Sequence, residues 1–189
     1  ACDLGAAQGC RVLLASSQAV YAGADMARPL DETRAAATGG YGAAKLAMEA
    51  TVAAHPHVDA CCLRIANVIG CDMLLRTVAA GPVTLDRFAD GTGPQRQYVG
   101  PATLALVVRA LLVHDGLLPA VVNVAQPGVI AMADLLGAAG GDFTWQDAPA
   151  TALPRMTLDL ARLMALVPLP TATAASLIAE ARAAGWSPA

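Results

Sequence analysis

The sequence predicts an α/β fold, in which helices connect parallel strands. Two short apolar segments, 11–15 and 59–65, have the length and composition of buried strands. Between them, residues 41–54 contain no glycine beyond the first turn, and His55-Pro56 stops the helix. The order strand, helix, strand fits one right-handed crossover between parallel strands.

The first strand ends in small polar residues, Ser16 and Ser17, as α/β strands do where they approach a ligand. Residues 22–40 are predicted to form a loop, because a proline, acidic residues and a glycine pair interrupt any regular pattern. We expect Asp31 and Glu32 of this loop to lie in solvent. Glu49, on the helix that follows, is expected to cap or pair locally.

After residue 100 the pattern predicts more helices and one further buried strand. Residues 103–114 have a strong helical pattern, with Thr103 as the candidate N-cap. The segment A-V-V-N-V-A at 120–125 has the composition of a strand buried in the sheet. Further helices are predicted over 131–139, 157–165 and 174–184, the last followed by Gly185 as a C′ residue. Before residue 100, the segments 81–85 and 90–94 are predicted to belong to a small inserted lobe.

Composition and charge argue against several classes of protein. The 189 residues are 56% hydrophobic and 14% charged, which is ample for a core and argues against disorder. The net charge is −3 without a basic stripe, so we expect no nucleic-acid partner. Arg64 and Arg109 break the longest apolar stretches, so we expect no transmembrane helix and no membrane partner. The five cysteines form no C-x-x-C pair and no zinc spacing with His55 or His57, which predicts reduced thiols, no metal site and a cytoplasmic location.

Ser17, Tyr41 and Lys45 are the strongest candidates for a chemical site. Tyr41 and Lys45 are four residues apart and therefore lie on one face of the predicted helix. Ser17, at the end of a strand, can reach the same point. A phenol is a poor base at neutral pH, but a neighbouring ammonium favours its ionised form. The pattern predicts a proton-transfer site; an ordinary amphipathic pair on a helix surface is the alternative.

Five segments place these residues in a longer pattern. They are S-S-Q-A-V-Y, Y-G-A-A-K-L-A-M-E, L-R-I-A-N-V-I-G, D-G-T-G-P-Q-R-Q-Y-V and V-N-V-A, at 16–21, 41–49, 63–70, 90–99 and 122–125. In the same order, the extended short-chain dehydrogenase/reductase family has S-S-x-x-V-Y-G, Y-G-x-S-K-x-x-x-E, L-R-x-x-N-V-x-G, G-x-G-x-x-R-D-[FY]-V and Y-N-V-G. The chain resembles this family of NAD-dependent sugar epimerases and dehydratases.

The resemblance implies a role for each candidate residue. Tyr41 would be the general acid/base, Lys45 would bind the nicotinamide ribose, and Ser17 would hydrogen-bond the reacting oxygen while hydride moves between the substrate and NAD or NADP. Core packing, a local turn and a solvated loop are the alternatives for the strand-end and loop residues. The implied cofactor-binding residues are Ser16, Tyr41, Lys45, Ile65 and Ala66, and the implied substrate-binding residues are Ser17, Gln18, Asn67 and Arg96.

The resemblance also implies a partial doubly wound parallel (Rossmann-like) sheet with a small C-terminal substrate lobe. Residues 1–69 would be the C-terminal part of a dinucleotide-binding domain. Residues 70–189 would be mostly substrate lobe, with a returning strand near 120–125. The family's glycine-rich G-x-x-G-x-x-G turn is absent from the sequence. We therefore expect the C-terminal portion of a longer polypeptide, which alone binds NAD weakly or not at all and is inactive.

The implied function is NAD(P)-dependent epimerisation, dehydration or reduction of a sugar or nucleotide-sugar. Members of the family dimerise by packing the Tyr-Lys helix and its neighbour into a four-helix bundle. The Ala-rich segment 41–54 suits such close approach, so we expect a homodimer. Gln97 and Thr103 stand where the family has acidic residues. This departure keeps open the alternative of a catalytically degenerate nucleotide-binding or regulatory relative. The absent glycine-rich turn keeps open a second alternative, an inactive fragment of such an enzyme.

Overall fold

The computed structural model describes residues 1–55, 57–78 and 81–188. These residues fall into two compact units, each made of three separate stretches of chain. The first unit comprises 1–66, 104–125 and 158–169. The second comprises 67–103, 126–157 and the residues from 170 onward. The chain therefore passes from one unit to the other five times.

Helices and short strands alternate along the chain. The helices are α1 (Cys2–Gln8), α2 (Gly40–Ala53), α3 (Met73–Val78), α4 (Pro101–Leu112), α5 (Met132–Ala139), α6 (Ala161–Leu166) and α7 (Ala174–Ala183). The strands are β1 (Val12–Ser17), β2 (Ala60–Ile65), β3 (Asn67–Val68), β4 (Val83–Arg87), β5 (Gln95–Arg96), β6 (Tyr98–Val99), β7 (Val121–Val124), β8 (Ile130–Ala131), β9 (Phe143–Asp147) and β10 (Arg155–Met156). A 3₁₀ turn, Gln18–Tyr21, follows β1 directly.

The first unit is built on a three-stranded parallel sheet with the order β1-β2-β7. Ser17 at the end of β1 lies opposite Ile65 of β2, which in turn lies opposite Val124 of β7. The carboxyl ends of the three strands therefore lie at one edge of the sheet. The parallel pairing and the intervening helices confirm the predicted α/β class and partial parallel sheet.

Alternate residues of β2 pack against different helices. Cys61 lies in a buried cluster with Leu111 of α4 and Leu163 of α6. Its neighbour Cys62 packs with Val52 of α2. This alternation follows from the two-residue period of a strand. Cys61 and Cys62 are buried strand residues, as the sequence predicts.

Several predicted helix boundaries agree with the structure to within one or two residues. Helix α2 begins at Gly40 and ends at Ala53, against the predicted 41–54. Helices α5 and α7 also match their predicted segments. Gly185 has φ of 95°, the left-handed conformation expected just beyond a helix end.

The described part of the second unit contains three small sheets and a buried core. The sheets have the orders β10-β5-β8, β3-β6 and β4-β9. Helices α3, α5 and α7 contribute to the core, in which Tyr98, Leu135 and Leu177 are fully buried. Strands β4 and β9 pair in parallel, although about 60 residues separate them in the chain.

Two predicted helix starts are wrong. Helix α4 begins at Pro101, so Thr103 lies in its first turn and is not the N-cap. Proline suits the first helical position because its φ is already fixed. The helix predicted over 157–165 begins only at Ala161, because Leu158 forms a parallel bridge with Leu30 and keeps the preceding residues extended.

The prediction that Glu32 lies in solvent is also wrong. Its side chain is only 6% exposed and pairs with Arg162 at 3.3 Å. Its Oε1 accepts a hydrogen bond from the backbone N of Asn123 at 3.0 Å. The loop after the 3₁₀ turn is therefore attached to β7 by a buried carboxylate. Pro56, predicted to stop α2, lies outside the described residues.

Candidate active site

Ser17 ends β1 and caps the 3₁₀ turn that follows it. Its backbone is extended, and its Oγ accepts a hydrogen bond from the backbone N of Ala19 at 3.2 Å. This bond uses an acceptor lone pair of the hydroxyl and leaves its O–H as a donor. Ser17 thus offers a donor at the carboxyl edge of the sheet, where ligands bind in α/β folds.

Tyr41 and Lys45 lie on the same face of α2, as their spacing predicts. The Lys45 Nζ is 5.4 Å from the centroid of the Tyr41 ring. The same Nζ donates a hydrogen bond to the carbonyl oxygen of Ala15 in β1 at 2.7 Å. Tyr41 is 62% exposed. The ammonium is thus held between the phenol ring and the strand that carries Ser17.

Gly42 allows this end of α2 to approach the 3₁₀ turn. A Cβ at position 42 would overlap the carbonyl oxygen of Ala19 and lie 2.8 Å from the Cβ of Ala37. The Ala19 carbonyl oxygen and the Ala37 Cβ are fixed by the backbone, so neither can move away by a change of side-chain rotamer. The absence of a side chain at Gly42 therefore determines how closely Tyr41, the preceding residue, approaches the turn.

A buried polar cluster lies one turn of α2 beyond Lys45. Glu49 is 8% exposed and Arg64 of β2 is 4% exposed. Glu49 accepts hydrogen bonds from Arg64 Nε at 3.0 Å and Nη2 at 2.7 Å, and from Ser16 Oγ at 2.5 Å. Burial disfavours the charge of Arg64, but its hydrogen bonds to Glu49 and Tyr21 outweigh this and raise its pKa above the ordinary value. Arg64 is therefore a permanent buried cation.

The cluster continues across the sheet to β7. Arg64 Nη1 donates to Tyr21 Oη at 3.0 Å, and Tyr21 Oη donates to Asn123 Oδ1 at 2.6 Å. Asn123 Nδ2 donates in turn to the carbonyl oxygens of Leu30 at 2.9 Å and Asp159 at 3.1 Å. Burial raises the pKa of the Tyr21 phenol, and Arg64 opposes that shift only in part. Tyr21 therefore serves the cluster as a neutral donor and acceptor.

The other predicted binding residues of the first unit are buried or half-buried. Gln18 opens the 3₁₀ turn and is half-buried. Ile65 is half-buried at the end of β2, and Ala66, which is buried, donates its backbone N–H to Val124 at 2.9 Å. Ser16 is buried, with its hydroxyl directed to Glu49. Their predicted roles in binding remain predictions.

Asn67 and Arg96 belong to the second unit. Asn67 is half-buried in β3, where it lies opposite Tyr98 of β6. Arg96 donates from Nη1 to the carbonyl oxygen of Gln95 at 2.8 Å and from Nη2 to that of Leu153 at 2.8 Å. Burial lowers the pKa of its guanidinium.

Arg96 also lines a cavity of about 550 Å³ in the second unit. The other lining residues are mostly apolar and include Leu74, Val83 and Met132, and one carboxylate, that of Asp86, also lines the cavity. Among the described residues, Arg96 has no ion pair with a carboxylate. A guanidinium beside a largely apolar cavity is suited to bind an anionic group of a ligand.

Sequence reasoning missed the buried cluster around Glu49. Glu49 was expected to pair locally, whereas its partners Arg64 and Ser16 are 15 and 33 residues away in the chain. One signal was present: an arginine inside the apolar strand C-C-L-R-I requires a buried acidic partner. The sequence alone could not say which acidic residue supplies it.

The structure also bears on metals and membranes. Within the described residues, no three or more His, Cys, Asp or Glu side chains are grouped so that they could hold a metal ion. The helices that the structure describes are too short or too polar to cross a lipid bilayer.

Comparison with known proteins gives one family match in sequence. Residues 1–81 match the model of the NAD dependent epimerase/dehydratase family. No curated protein matches the chain.

Solved structures share the fold over nearly the whole chain. UDP-glucose 4-epimerase from Brucella ovis in complex with NAD is 19% identical, with a TM-score of 0.76 over 94% of this chain and 66% of that one. UDP-glucuronic acid 4-epimerase from Bacillus cereus in complex with NAD is 17% identical, with a TM-score of 0.70 over 91% and 60%. WbmH from Bordetella bronchiseptica in complex with NAD+ is 13% identical, with a TM-score of 0.76 over 96% and 64%.

The chain thus spans 60% to 66% of the length of these three structures. At these identities the structural likeness establishes the fold, including the predicted Rossmann-like architecture. The family match and the fold together confirm the resemblance drawn from the motifs: residues 1–81 carry the sequence pattern of the NAD dependent epimerase/dehydratase family, and the chain has the fold of solved nucleotide-sugar epimerases.

Proposed function

We propose that the chain carries the proton-transfer site of an NAD(P)-dependent epimerase, dehydratase or reductase that acts on a sugar or nucleotide-sugar. The observation that carries the proposal is the position of Lys45. Its Nζ lies 5.4 Å from the Tyr41 ring centroid and donates to Ala15, two residues before Ser17. The phenol, ammonium and hydroxyl therefore come from α2 and the adjoining strand.

In this proposal Tyr41, Ser17 and Lys45 have different roles. Tyr41 exchanges a proton with the substrate hydroxyl or carbonyl, and its exposure gives a ligand access to the phenol oxygen. Ser17 donates its O–H to the same substrate oxygen. Lys45 places its ammonium beside the phenol ring and joins α2 to β1 through Ala15.

The residues present fit the nicotinamide side of a dinucleotide. An ammonium has three donors, and the described hydrogen bonds engage one of those of Lys45, with Ala15. The others can bind ribose hydroxyls. When bound, NAD or NADP would supply or accept the hydride. Ser16, Ile65 and Ala66 at the ends of β1 and β2 complete the proposed cofactor-binding set.

The substrate proposal rests on the second unit as well. Arg96 and its cavity suit an anionic group such as a diphosphate, which a guanidinium binds bidentately. The three structures compared above include epimerases of UDP-glucose and UDP-glucuronic acid, which motivates the choice of a nucleotide-sugar. Gln18 and Asn67 are the further substrate residues of the proposal. A homodimer formed through α2 is part of the same proposal.

The test is an assay, with NAD+ or NADP+ at millimolar concentration, of a full-length protein that contains these 189 residues, because we expect the 189 residues alone to be inactive. UDP-glucose is the first substrate, with proton NMR of the sugar as the readout. We expect Tyr41→Phe and Lys45→Met each to lower turnover at least about 100-fold, the low end for loss of a general acid/base. Arg87→Met, which removes an exposed cation of the second unit, is the matched control and should keep full turnover.

Two results would contradict the proposal. Turnover that survives Tyr41→Phe would exclude Tyr41 as the acid/base. Absence of both turnover and cofactor binding in the unmodified full-length protein would favour the alternative of a degenerate relative without catalysis.

A further inference from the structure

The Glu49 carboxylate joins three elements of the first unit. It belongs to α2, it accepts from Ser16 at the end of β1, and it accepts twice from Arg64 of β2. Ser16 immediately precedes Ser17. Glu49 follows Lys45 by four residues and Tyr41 by eight, so the three side chains project from one face of the helix. One buried group thus links the strand that carries Ser17 to the helix face that carries Tyr41 and Lys45.

This linkage is more specific than core packing. Apolar contacts tolerate small sliding movements between elements, whereas a carboxylate that accepts two parallel bonds from a guanidinium has a defined orientation. Both partners are almost fully buried, so water cannot replace either of them. The Lys45 bond to Ala15 depends on the same distance between α2 and β1.

Resting on the proposed function, we propose that Glu49 is a positioning residue that holds Tyr41 and Lys45 in register with Ser17. Arg64 supplies the opposite charge and connects the carboxylate to Tyr21 and, through it, to Asn123. Glu49 touches none of the proposed reacting atoms. Its effect passes through the placement of α2 against β1.

Lys45 offers a direct probe, because it is the only lysine in the sequence. The rate of its acetylation by a small amine-specific reagent, measured by mass spectrometry against added N-acetyl-lysine amide, reports whether Nζ is still held at Ala15. This readout needs neither cofactor nor substrate. Loss of folding can be checked separately by circular dichroism.

The main variant is the double substitution Glu49→Leu with Arg64→Leu, which removes the polar linkage and leaves no buried charge unpaired. We expect a folded protein in which Lys45 acetylation rises about fivefold, as the loss of one hydrogen bond implies. Ser16→Ala removes only the bond to β1 and should raise the rate about twofold. The matched control Ser176→Ala removes a hydrogen-bonded serine hydroxyl of α7 and should leave the rate unchanged.

A folded double variant with the original Lys45 rate would overturn the proposal and leave Glu49 a purely structural role. If the double variant does not fold, the Lys45 acetylation rate of the Ser16→Ala variant provides the test, and an unchanged rate would overturn the proposal. Where the protein shows turnover, the double variant should lower kcat more than it changes KM. Absence of turnover in the full-length assay described above, together with a Lys45 rate that still responds, would refute the proposed function while supporting the positioning by Glu49.

Discussion

Glu180 of α7 accepts two hydrogen bonds from Thr103 in the first turn of α4, one from the backbone N at 2.9 Å and one from Oγ1 at 2.7 Å. The carboxylate therefore satisfies an N–H group that the helix itself leaves unpaired, and its charge complements the helix dipole. Gly100 lies immediately before the helix, and a Cβ there would overlap the Glu180 carboxylate. Glu180 thus places a negative charge at the start of α4.

Substitution of Glu180 by alanine should lower the free energy of unfolding by about 1–3 kcal/mol, because the Thr103 donors lose a charged acceptor. Gly100→Ala should cost a similar amount by displacing the same carboxylate. Urea denaturation of both single variants and of the double variant measures the coupling. We expect the double variant to lose clearly less than the sum of the two; strict additivity would show that Gly100 does not act through Glu180.

Gly42→Ala should disturb the end of α2 that carries Tyr41. The added Cβ would meet the backbone of the 3₁₀ turn, so we expect a loss of about 1–3 kcal/mol in stability. Gly137→Ala in α5 is the control, since nothing lies within 4 Å of its added Cβ. It should stabilise the protein by about 0.5–1 kcal/mol through helix propensity. Equal effects of the two substitutions in thermal unfolding would refute the close approach at Gly42.

The buried pair of Glu49 and Arg64 predicts a contrast between single and double substitutions. Arg64→Leu alone should cost about 3–5 kcal/mol, because it leaves a buried carboxylate without its cation. Combined with Glu49→Leu, the cost should fall close to zero or reverse. Chemical denaturation monitored by circular dichroism provides the test. A double variant as unstable as Arg64→Leu would mean that packing, and not charge, dominates at this position.

The five cysteines should differ sharply in reactivity. Cys10 and Cys71 are exposed, whereas Cys2, Cys61 and Cys62 are buried. Burial raises the pKa of the Cys61 thiol to about 12 and that of Cys62 to about 11. Since the thiolate is the nucleophile, iodoacetamide at pH 8 should modify only Cys10 and Cys71 in the folded protein. Peptide mass spectrometry before and after denaturation checks this, and early labelling of Cys61 or Cys62 would contradict it.

The same pKa shifts predict alkaline destabilisation. Above pH 9.0, the ordinary thiol pKa, the unfolded chain releases protons that folded Cys61 and Cys62 retain. The folded state then binds more protons, so the free energy of unfolding falls as pH rises from about 9 to about 12. Below pH 9.0 the contribution of both thiols is complete. Stability curves from pH 8 to 11 should be flatter for the Cys61→Ala, Cys62→Ala double variant than for the unmodified protein.

The sequence predicted the elements of the first unit well because their patterns are local. The strands at 11–15 and 59–65 and the helix at 41–54 are defined by apolar runs and by Gly and Pro at their ends. The start of α4 was missed because Thr103 has the chemistry of an N-cap, and only the fold reveals Glu180 as its partner. Leu30 likewise prevents an early start of α6 through a bridge about 130 residues away in sequence.

For the site, motif spacing predicted that Tyr41 and Lys45 share a helix face, since that follows from helix geometry alone. The bond from Lys45 to Ala15 and the burial of Glu49, Arg64 and Glu32 could not be predicted in this way. The bond and the burial of these side chains depend on which helices and strands pack against one another in the folded protein. An isolated charged residue inside an apolar strand, such as Arg64, is the sequence signal that indicates a buried ion pair.

The interleaving of the two units has a consequence for biosynthesis. Helix α6, whose Leu163 completes the core beside β2 and β7, follows β2 by about 100 residues in the chain. Neither unit can therefore complete its core until α6 and α7 have been synthesised. A nascent chain halted before residue 158 would hold a sheet without its last covering helix, and this is the form that chaperones would have to protect.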